Sequence, residues 1–468
     1  MGNGKIPGIL RIGLALGDVI FIVFSYISAY WIRFGFEPPA VNYNPFLKTL
    51  PLIIVSAIVL FNVYGLYYVE RKRLVDILSS LVLSIVLLGI FAMAGSFFLR
   101  AFAFPRSIYF LGALIQILLL AVWRWAFWLI CRAYHGKKKV LLAGGNEEAD
   151  QVIQKISGNI KEWFKIAEVK SKFGENLTEE LQGIDMVILC PGLDETTRTK
   201  LISECVSQNK GILVVPELYD ILLVRAKTFR VDDLPLFELE PISLSSGQMI
   251  MKRALDLVVS IIALGLTLPI MIVVAILIKI TSPGPIFYTQ ERMGLNGKKF
   301  IVYKFRTMFD NAEKLTGPVM AMEDDPRITR IGKFLRTTRI DELPQFINVL
   351  KGEMSVVGPR PERPVFVNEF TAADPSFEYR MKVKPGITGL AQVLGKYSTE
   401  PENKLRYDLL YIRNYSLLLD LKIILQTIKT VLTREQASGI KKHRNGYSKS
   451  NTPNQFTVQV GKQNSTSA

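Results

Sequence analysis

The chain has 468 residues, 49% of them hydrophobic, and 57 Lys and Arg against 41 Asp and Glu give it a formal charge of +16. Such a length asks for two or three domains, the apolar share points to a membrane protein, and the charge suits an anionic partner: phosphate-bearing substrates, an acidic membrane surface or nucleic acid. Two histidines, His135 and His443, each in a basic stretch, and three scattered cysteines, Cys131, Cys190 and Cys205, nearly exclude His- or Cys-based metal chemistry and fit a reduced compartment.

Four apolar segments, at about residues 9–31, 50–68, 74–98 and 108–131, are each long enough to cross a bilayer. The first is too long for a cleavable signal peptide, and no small-residue cleavage site follows it. Arg71, Lys72 and Arg73 join the second and third segments, and Arg132 with Lys137, Lys138 and Lys139 follows the fourth. Basic loops stay inside, so both ends of this four-helix unit, residues 1–135, are expected in the cytoplasm. Arg100 and Arg106 on the other side weaken that bias without reversing it. Asp18 and Arg124 fall within spans, where helix pairing and function are both open.

From 136 to about 245 the texture changes. Strand-length runs, "VLLAGG", "DMVILC" and "GILVVPEL", alternate with helical patterns at 147–156 and 195–208. The alternation predicts a small doubly wound, Rossmann-like α/β domain. A dinucleotide fingerprint starting at Gly144 needs glycine two residues later, where Asn146 stands, and Glu147 and Glu148 would repel a pyrophosphate. A structural or regulatory module is the plainer expectation.

The segment at about 252–280 is also long enough to cross. A crossing would export Lys298, Lys299, Lys304, Arg306, Arg327, Arg330, Lys333 and Arg336, against the positive-inside bias. Pro269 near its middle removes a backbone hydrogen bond. Together these predict a broken helix that enters the inner leaflet and turns back. Lys252, Arg253 and Asp256 are placed to pair with one another at headgroup level. Asn296–Gly297 between two strand-like runs predicts a hairpin. Residues 404–432 form a helical pattern, suited either to the membrane surface or to packing on the domain. From about 436 to 468 the chain reads as a disordered, basic tail.

Asp341 and Glu342 stand side by side after Arg336 and Arg339, with Pro344 and Gly352 placed to open and close a short helix whose N-cap is Asp341. Neighbours on a helix point different ways, so one carboxylate can address a reacting atom and the other a metal. A helix start keeps acids ionised and attracts phosphate oxygens. An ionised carboxylate can attack phosphorus, and magnesium takes one or two carboxylates with substrate phosphates. The plain alternative is a helix cap.

Around the dyad stand, in order, "KR..D", "SPGPIFYTQERMG", "YKFRTM", "DDPRITRIGKFLR", "IDELPQFINVLKGEMSVVGPRP" and "KPGITGLAQV". With these motifs, residues 252–432 resemble the monotopic phosphoglycosyl transferases, also called polyprenyl-phosphate sugar-phosphate transferases. The whole chain is similar to the large members, in which four transmembrane helices and a Rossmann-like module precede the catalytic part. The resemblance implies an α+β catalytic domain at 246–435 with a re-entrant membrane helix, on the cytoplasmic face of a bacterial inner membrane. It implies transfer of a sugar-1-phosphate from a UDP-sugar to polyprenyl (undecaprenyl) phosphate, releasing UMP and initiating glycan assembly. Asp341 would form the covalent phosphosugar intermediate and Glu342 would hold Mg2+. Arg336 would contact phosphate, and Lys304, Arg306 and Arg360 other anionic groups. Lys384 and Lys396 stand where the family commonly carries arginine, and count as substrate contacts that keep charge but lose the bidentate fork. Leu268 stands where many members have serine before the membrane-segment proline.

Two other readings fit parts of the chain. One is a membrane-tethered, NAD-dependent nucleotide-sugar dehydratase; the broken glycine pattern and the lack of a Tyr-x-x-x-Lys pair in the central domain oppose it. The other is a non-enzymatic scaffold that binds polyanions, which requires no ordered Asp-Glu dyad. No nucleic-acid partner is expected, and homodimer formation is left open as a role for the central module.

Overall fold

The computed structural model of the chain describes residues 8–69, 72–159, 163–174, 176–310, 325–396 and 399–432. Arg71, His443 and the predicted tail lie outside them. The chain opens with α1 (Gly8–Phe34), α2 (Ala40–Val63), α3 (Leu74–Phe98) and α4 (Arg106–His135). These four helices, and a fifth, are long and apolar enough to cross a membrane, as in a membrane protein. Helix α2 starts well before the predicted residue 50, because Asn42, Asn44 and Lys48 mask its first turns; it runs on through Pro45 and Pro51. Helix α1 packs on α4, α4 on α3 and α3 on α2. Within this bundle Arg124 donates to Asp18 at 2.5 Å, with both side chains sealed from solvent. The guanidinium also lies over the rings of Phe61 and Tyr67. The two intramembrane charges therefore neutralise each other and tie α1 to α4.

The central unit runs β1 (Lys138–Ala143), α5 (Asn146–Asn159), β2 (Phe164–Lys170), α6 (Leu177–Glu180), β3 (Met186–Leu189), α7 (Glu195–Ser207), β4 (Gly211–Val214) and α8 (Leu218–Leu223). Its strands form one parallel sheet in the order β2-β1-β3-β4. The sequence reading missed β2, an edge strand whose outer residues are polar. It also missed the exposed hairpin β5 (Lys227–Val231) and β6 (Leu234–Glu238). A Cβ on Gly144 would fall 2.5 Å from that of Cys190, so this glycine lets the loop after β1 pack against the loop after β3.

Then come α9 (Ser246–Thr281), β7 (Phe287–Met293), β8 (Lys299–Phe305), α10 (Arg330–Thr338), a 3-10 turn (Ile340–Glu342) and α11 (Gln345–Lys351). The chain continues through β9 (Ser355–Val357), α12 (Pro364–Ala373), a 3-10 stretch (Pro375–Lys382), β10 (Gly386–Thr388), α13 (Leu390–Leu394), α14 (Pro401–Arg413) and α15 (Leu417–Leu432). Strands β7 and β8 form the predicted hairpin, with Asn296 and Gly297 both at positive φ (53° and 73°). The pattern at 404–432 is two helices, not one. The chain turns at Asn414, and the Ser416 hydroxyl accepts the Leu419 amide at 3.2 Å to start α15.

Helix α9 stays continuous through Pro269 and shows no interruption there. The Thr267 hydroxyl donates to the Ala263 carbonyl at 2.7 Å in the preceding turn. Its charged residues do not pair with one another as expected. Lys252 donates to Asp420 at 2.7 Å and to the Tyr411 hydroxyl at 3.0 Å. Arg253 caps α11 through the carbonyls of Val349 and Leu350 at 2.5 and 2.8 Å. Asp256 accepts from the Ser355 hydroxyl and the Val356 amide, both at 2.8 Å. At the far end Arg306 donates to the carbonyls of Ser282 and Pro283 at 2.6 and 2.8 Å, while Ile278 packs with Phe305 and Leu335. Both ends of α9 are therefore held by the same C-terminal unit. Between them Ile261, Ile262, Leu266, Ile272 and Val273 are exposed.

The turn between α2 and α3 joins the three units. Tyr64 donates to the Leu425 carbonyl at 2.7 Å and Gln426 to the Val63 carbonyl at 3.0 Å, which seats α15 on the turn. The indole N–H groups of Trp128 and Trp163 both donate to the Lys72 carbonyl, at 3.3 and 3.2 Å. Arg413 donates to the carbonyls of Leu222, Val224 and Glu240, tying α14 to the central unit. Breaking the sealed Lys252–Asp420 pair from one side leaves a lone buried charge. Asp420→Asn or Lys252→Met is expected to cost about 3 kcal/mol in thermal or chemical unfolding of the full chain in nanodiscs, and the double K252M/D420L to recover most of it. Equal stability of both single variants and parent would contradict this account.

Candidate active site

Helix α10 begins where the Thr329 hydroxyl accepts the Gly332 amide at 2.9 Å. Gly332 lies so close to the Thr307 backbone that any side chain there would collide with it. Helix α10 ends at Arg339, a non-glycine residue in the left-handed region (φ 58°). That conformation costs energy and redirects the chain into the 3-10 turn that carries Asp341 and Glu342. Pro344 then opens α11, where its missing N–H is harmless, and Gly352 closes it at φ 84°. Asp341 thus lies in the turn before α11 and is not the N-cap that the sequence suggests.

Glu342 is the electrostatic centre. Its Oε1 accepts from Lys304 of β8 and from Arg360 after β9, both at 2.9 Å, and its Oε2 lies 3.8 Å from Arg339. Burial alone would raise its pKa, but Arg360, Lys304 and Arg339 outweigh that and hold the carboxyl well below the ordinary range. Asp341 is treated differently. It is 8% exposed, and its Oδ1 has no hydrogen-bond partner among the described residues. Burial, then the neighbouring Glu342, push its pKa up to about 6, against Lys304, Arg336 and Arg339. Adjacent acids in environments that separate their pKa values divide acid, base and nucleophile roles. Here the carboxylate paired with cations is Glu342, and the one with an oxygen lacking a described partner is Asp341.

The supporting cations are themselves held. The Arg380 guanidinium donates to the Arg360 carbonyl at 2.9 Å and to Asp408 at 3.0 Å, fixing the loop that carries Arg360. Gly358 packs so tightly on Lys384 O and Gly386 N that a Cβ would meet them at 2.5 and 2.9 Å, which interlocks "VVGPRP" with "KPGITG". Of the residues singled out in the sequence, the structure brings together Asp341, Glu342, Lys304, Arg360 and Arg336. Arg306 is instead spent on the carbonyls that end α9. Lys384 lies by Gly352, at the far end of α11, with Arg253, Asp256 and Lys252 as its charged neighbours. Lys396 is exposed and makes no described contact with the dyad. Sequence reading missed Arg339 as a partner of Glu342, and Arg380 and Asp408 altogether. The i,i+3 spacing to Glu342 was the one available clue for Arg339.

The sequence model of the bacterial sugar transferase family matches residues 247–434, which contain this site. The exopolysaccharide production protein PSS of Rhizobium leguminosarum bv. phaseoli is 42% identical over 197 residues, 40% of this chain and 97% of that protein. A UDP-N-acetylgalactosamine-undecaprenyl-phosphate N-acetylgalactosaminephosphotransferase of Aeromonas hydrophila is 40% identical over 237 residues, 50% of this chain. There the chain spans about half the length of the relative (55%). A UDP-glucose:undecaprenyl-phosphate glucose-1-phosphate transferase of Xanthomonas campestris pv. campestris is 29% identical over 462 residues, 91% of this chain and 94% of that protein. The chain belongs to the bacterial sugar transferase family.

The raised pKa of Asp341 has a sign that stability measurements can read. The folded state binds this proton more tightly than the unfolded chain does. The cost of ionising Asp341 is therefore complete above about pH 6 and fades toward the unfolded value of 3.8. Asp341→Asn is expected to stabilise the protein by on the order of 2–3 kcal/mol at pH 8, with the gain shrinking as pH falls to about 5. Equal melting temperatures of D341N and parent at pH 8 would count against it.

Proposed function

We propose that the protein transfers a sugar-1-phosphate from a UDP-sugar to polyprenyl phosphate at the cytoplasmic face of the bacterial inner membrane, releasing UMP. The observation that carries this reading is the split dyad: one buried carboxylate neutralised by three cations beside another with a free oxygen. Asp341 attacks the phosphorus that bears the sugar; that P–O bond forms as the bond to UMP breaks. The lipid phosphate oxygen then displaces Asp341 from the same phosphorus. Both partners are anions, so the protein must mainly align them and neutralise charge. Lys304, Arg360 and Arg336 are the phosphate contacts in this scheme. Names of relatives that couple UDP-sugars to undecaprenyl phosphate support it.

Magnesium fits the donor set. Two hard carboxylates sit together, Glu342 stays ionised, and among the described residues the cation nearest its Oε2 is Arg339 at 3.8 Å. Glu342 would hold the ion, and bound Mg2+ would neutralise the diphosphate. We read α9 as re-entrant: it bends back at Pro269, whose ring removes a backbone hydrogen bond, without leaving the helical conformation. A helix of 36 residues, about 54 Å if straight, is too long for a simple span. Its two ends are gripped by one polar unit, which also docks on the α2–α3 turn. The parallel order β2-β1-β3-β4 supports a Rossmann-like central module.

A panel of UDP-sugars, offered with polyprenyl phosphate and magnesium to the full chain in nanodiscs, tests the activity. UMP release is expected from at least one of them, and both D341N and chelation of divalent ions should abolish it. Without lipid acceptor, labelled phosphosugar should remain on the parent but not on D341N. Release by no UDP-sugar would end the transferase reading. Single cysteines placed after Ser282 are expected to label only from the cytoplasmic side; labelling from outside would overturn re-entry.

A further inference from the structure

We propose that Asn348 is a positioning residue that sets where Lys304 stands relative to Glu342; this rests on the transferase reading for its functional meaning. Asn348 is wholly buried in the middle of α11. Its Oδ1 accepts the backbone N–H of Tyr303 at 3.1 Å, and its Nδ2 donates to the Ile301 carbonyl at 2.6 Å. The same Nδ2 donates to Glu353 Oε2 at 2.7 Å.

Strand β8 pairs with β7 along one edge only, in a two-stranded sheet. Ile301 and Tyr303 are two residues apart, so their backbone groups face the same way, out of the free edge. A carboxamide offers one acceptor and one donor, as a peptide group does. Asn348 thus takes the place of one residue of a third strand. It pairs an edge N–H and C=O that have no ladder partner in the two-stranded sheet.

That closure fixes register. Lys304 follows Tyr303 directly, and a slip of one residue along β8 would send its side chain to the other face. Asn348 lies six residues after Glu342 in the same turn-and-helix segment. One side chain therefore ties the strand that carries the ammonium to the segment that carries the carboxylate, and the result is the 2.9 Å contact between them. Arg360 and Arg339 reach Glu342 from other segments and do not pass through Asn348. The residue acts on one of three cations, not on the whole site.

The test uses the full chain in nanodiscs. Asn348→Asp keeps the acceptor for Tyr303 but turns an oxygen toward the Ile301 carbonyl and Glu353. It is expected to lower kcat for UMP release by about 30-fold while KM for the UDP-sugar moves less than about threefold. Glu353→Gln alone should change little; combined with N348D it puts a donor opposite the new oxygen and should restore kcat by about tenfold. In a Lys304→Ala background, N348D should cost less than about twofold more, because the group it positions is gone. An equal cost in both backgrounds, or unaltered kcat in N348D, would overturn the proposal. Should N348D fail to fold, Asn348→Ser is read in the same cycle.

Hydrogen exchange without substrate separates this from the transferase reading. N348D is expected to speed exchange at 299–305 and 340–343 together, leaving the central unit unchanged. If the parent releases no UMP, the transferase reading falls and exchange alone decides; unchanged protection at 340–343 then defeats the role of Asn348.

Discussion

The site depends on keeping Glu342 ionised while it is almost out of water. A lone buried carboxylate would neutralise itself by taking a proton; three cations prevent this, and no two of them come from the same segment. Lys304 arrives on a strand, Arg339 at the strained end of a helix, and Arg360 on a loop braced by Arg380 and Asp408. Their convergence demands that the hairpin, α10 and the β9–β10 loops pack in one arrangement. It also creates the contrast on which the chemistry turns. Lys304, Arg339 and Arg360 all go to Glu342, while Asp341 keeps a raised pKa and an oxygen with no hydrogen-bond partner among the described residues.

A second constraint joins this site to the membrane. Helix α11 carries the dyad just before its first turn, and its last carbonyls are capped by Arg253 of α9. One short helix therefore links the Asp341–Glu342 pair to the apolar helix. The depth of the site then follows from the depth of α9. Lys252 and Asp256 reinforce the link from the same side, and Arg306 repeats it at the other end of α9. The contact of α15 with the α2–α3 turn adds an independent tether, so the four-helix unit and α9 both bear on the C-terminal unit.

The parts that could be read from sequence were those fixed by local chemistry or by length. Four apolar spans, the Asn296–Gly297 hairpin, the glycine that ends α11 and three parallel strands all announce themselves within a few residues. The dyad with Lys304, Arg336 and Arg360 was reachable through motif resemblance, although only the geometry shows Lys304 and Arg360 on the same oxygen of Glu342. What could not be read depends on tertiary partners. The charges of "KR..D" look suited to one another at helical spacing, yet Asp420, Tyr411, Ser355 and the carbonyls of α11 compete better, because each buried polar group there needs a partner. Arg306 stands in a motif with Lys304, but it lies just past the end of β8, where the carbonyls that follow α9 take its donors. Strand β2 went unread because an edge strand with polar outer residues lacks the apolar run that marks its neighbours.

The pairing at Glu342 also bears on how a polyanion would enter. Lys304, Arg339 and Arg360 would repel one another strongly if they faced an empty, poorly hydrated site. Glu342 serves as their internal counter-ion, which holds the three cations in place. A diphosphate would then meet positioned donors rather than loose side chains, and less ordering entropy would be lost on binding. The exchange has a condition: the carboxylate must find another positive partner as the cations turn toward phosphate, or the buried negative charges will oppose one another. A divalent ion arriving with the diphosphate meets that condition, since it adds the positive charge that Glu342 would otherwise lose. On this physical ground Glu342, rather than Asp341, would be the acid suited to a metal.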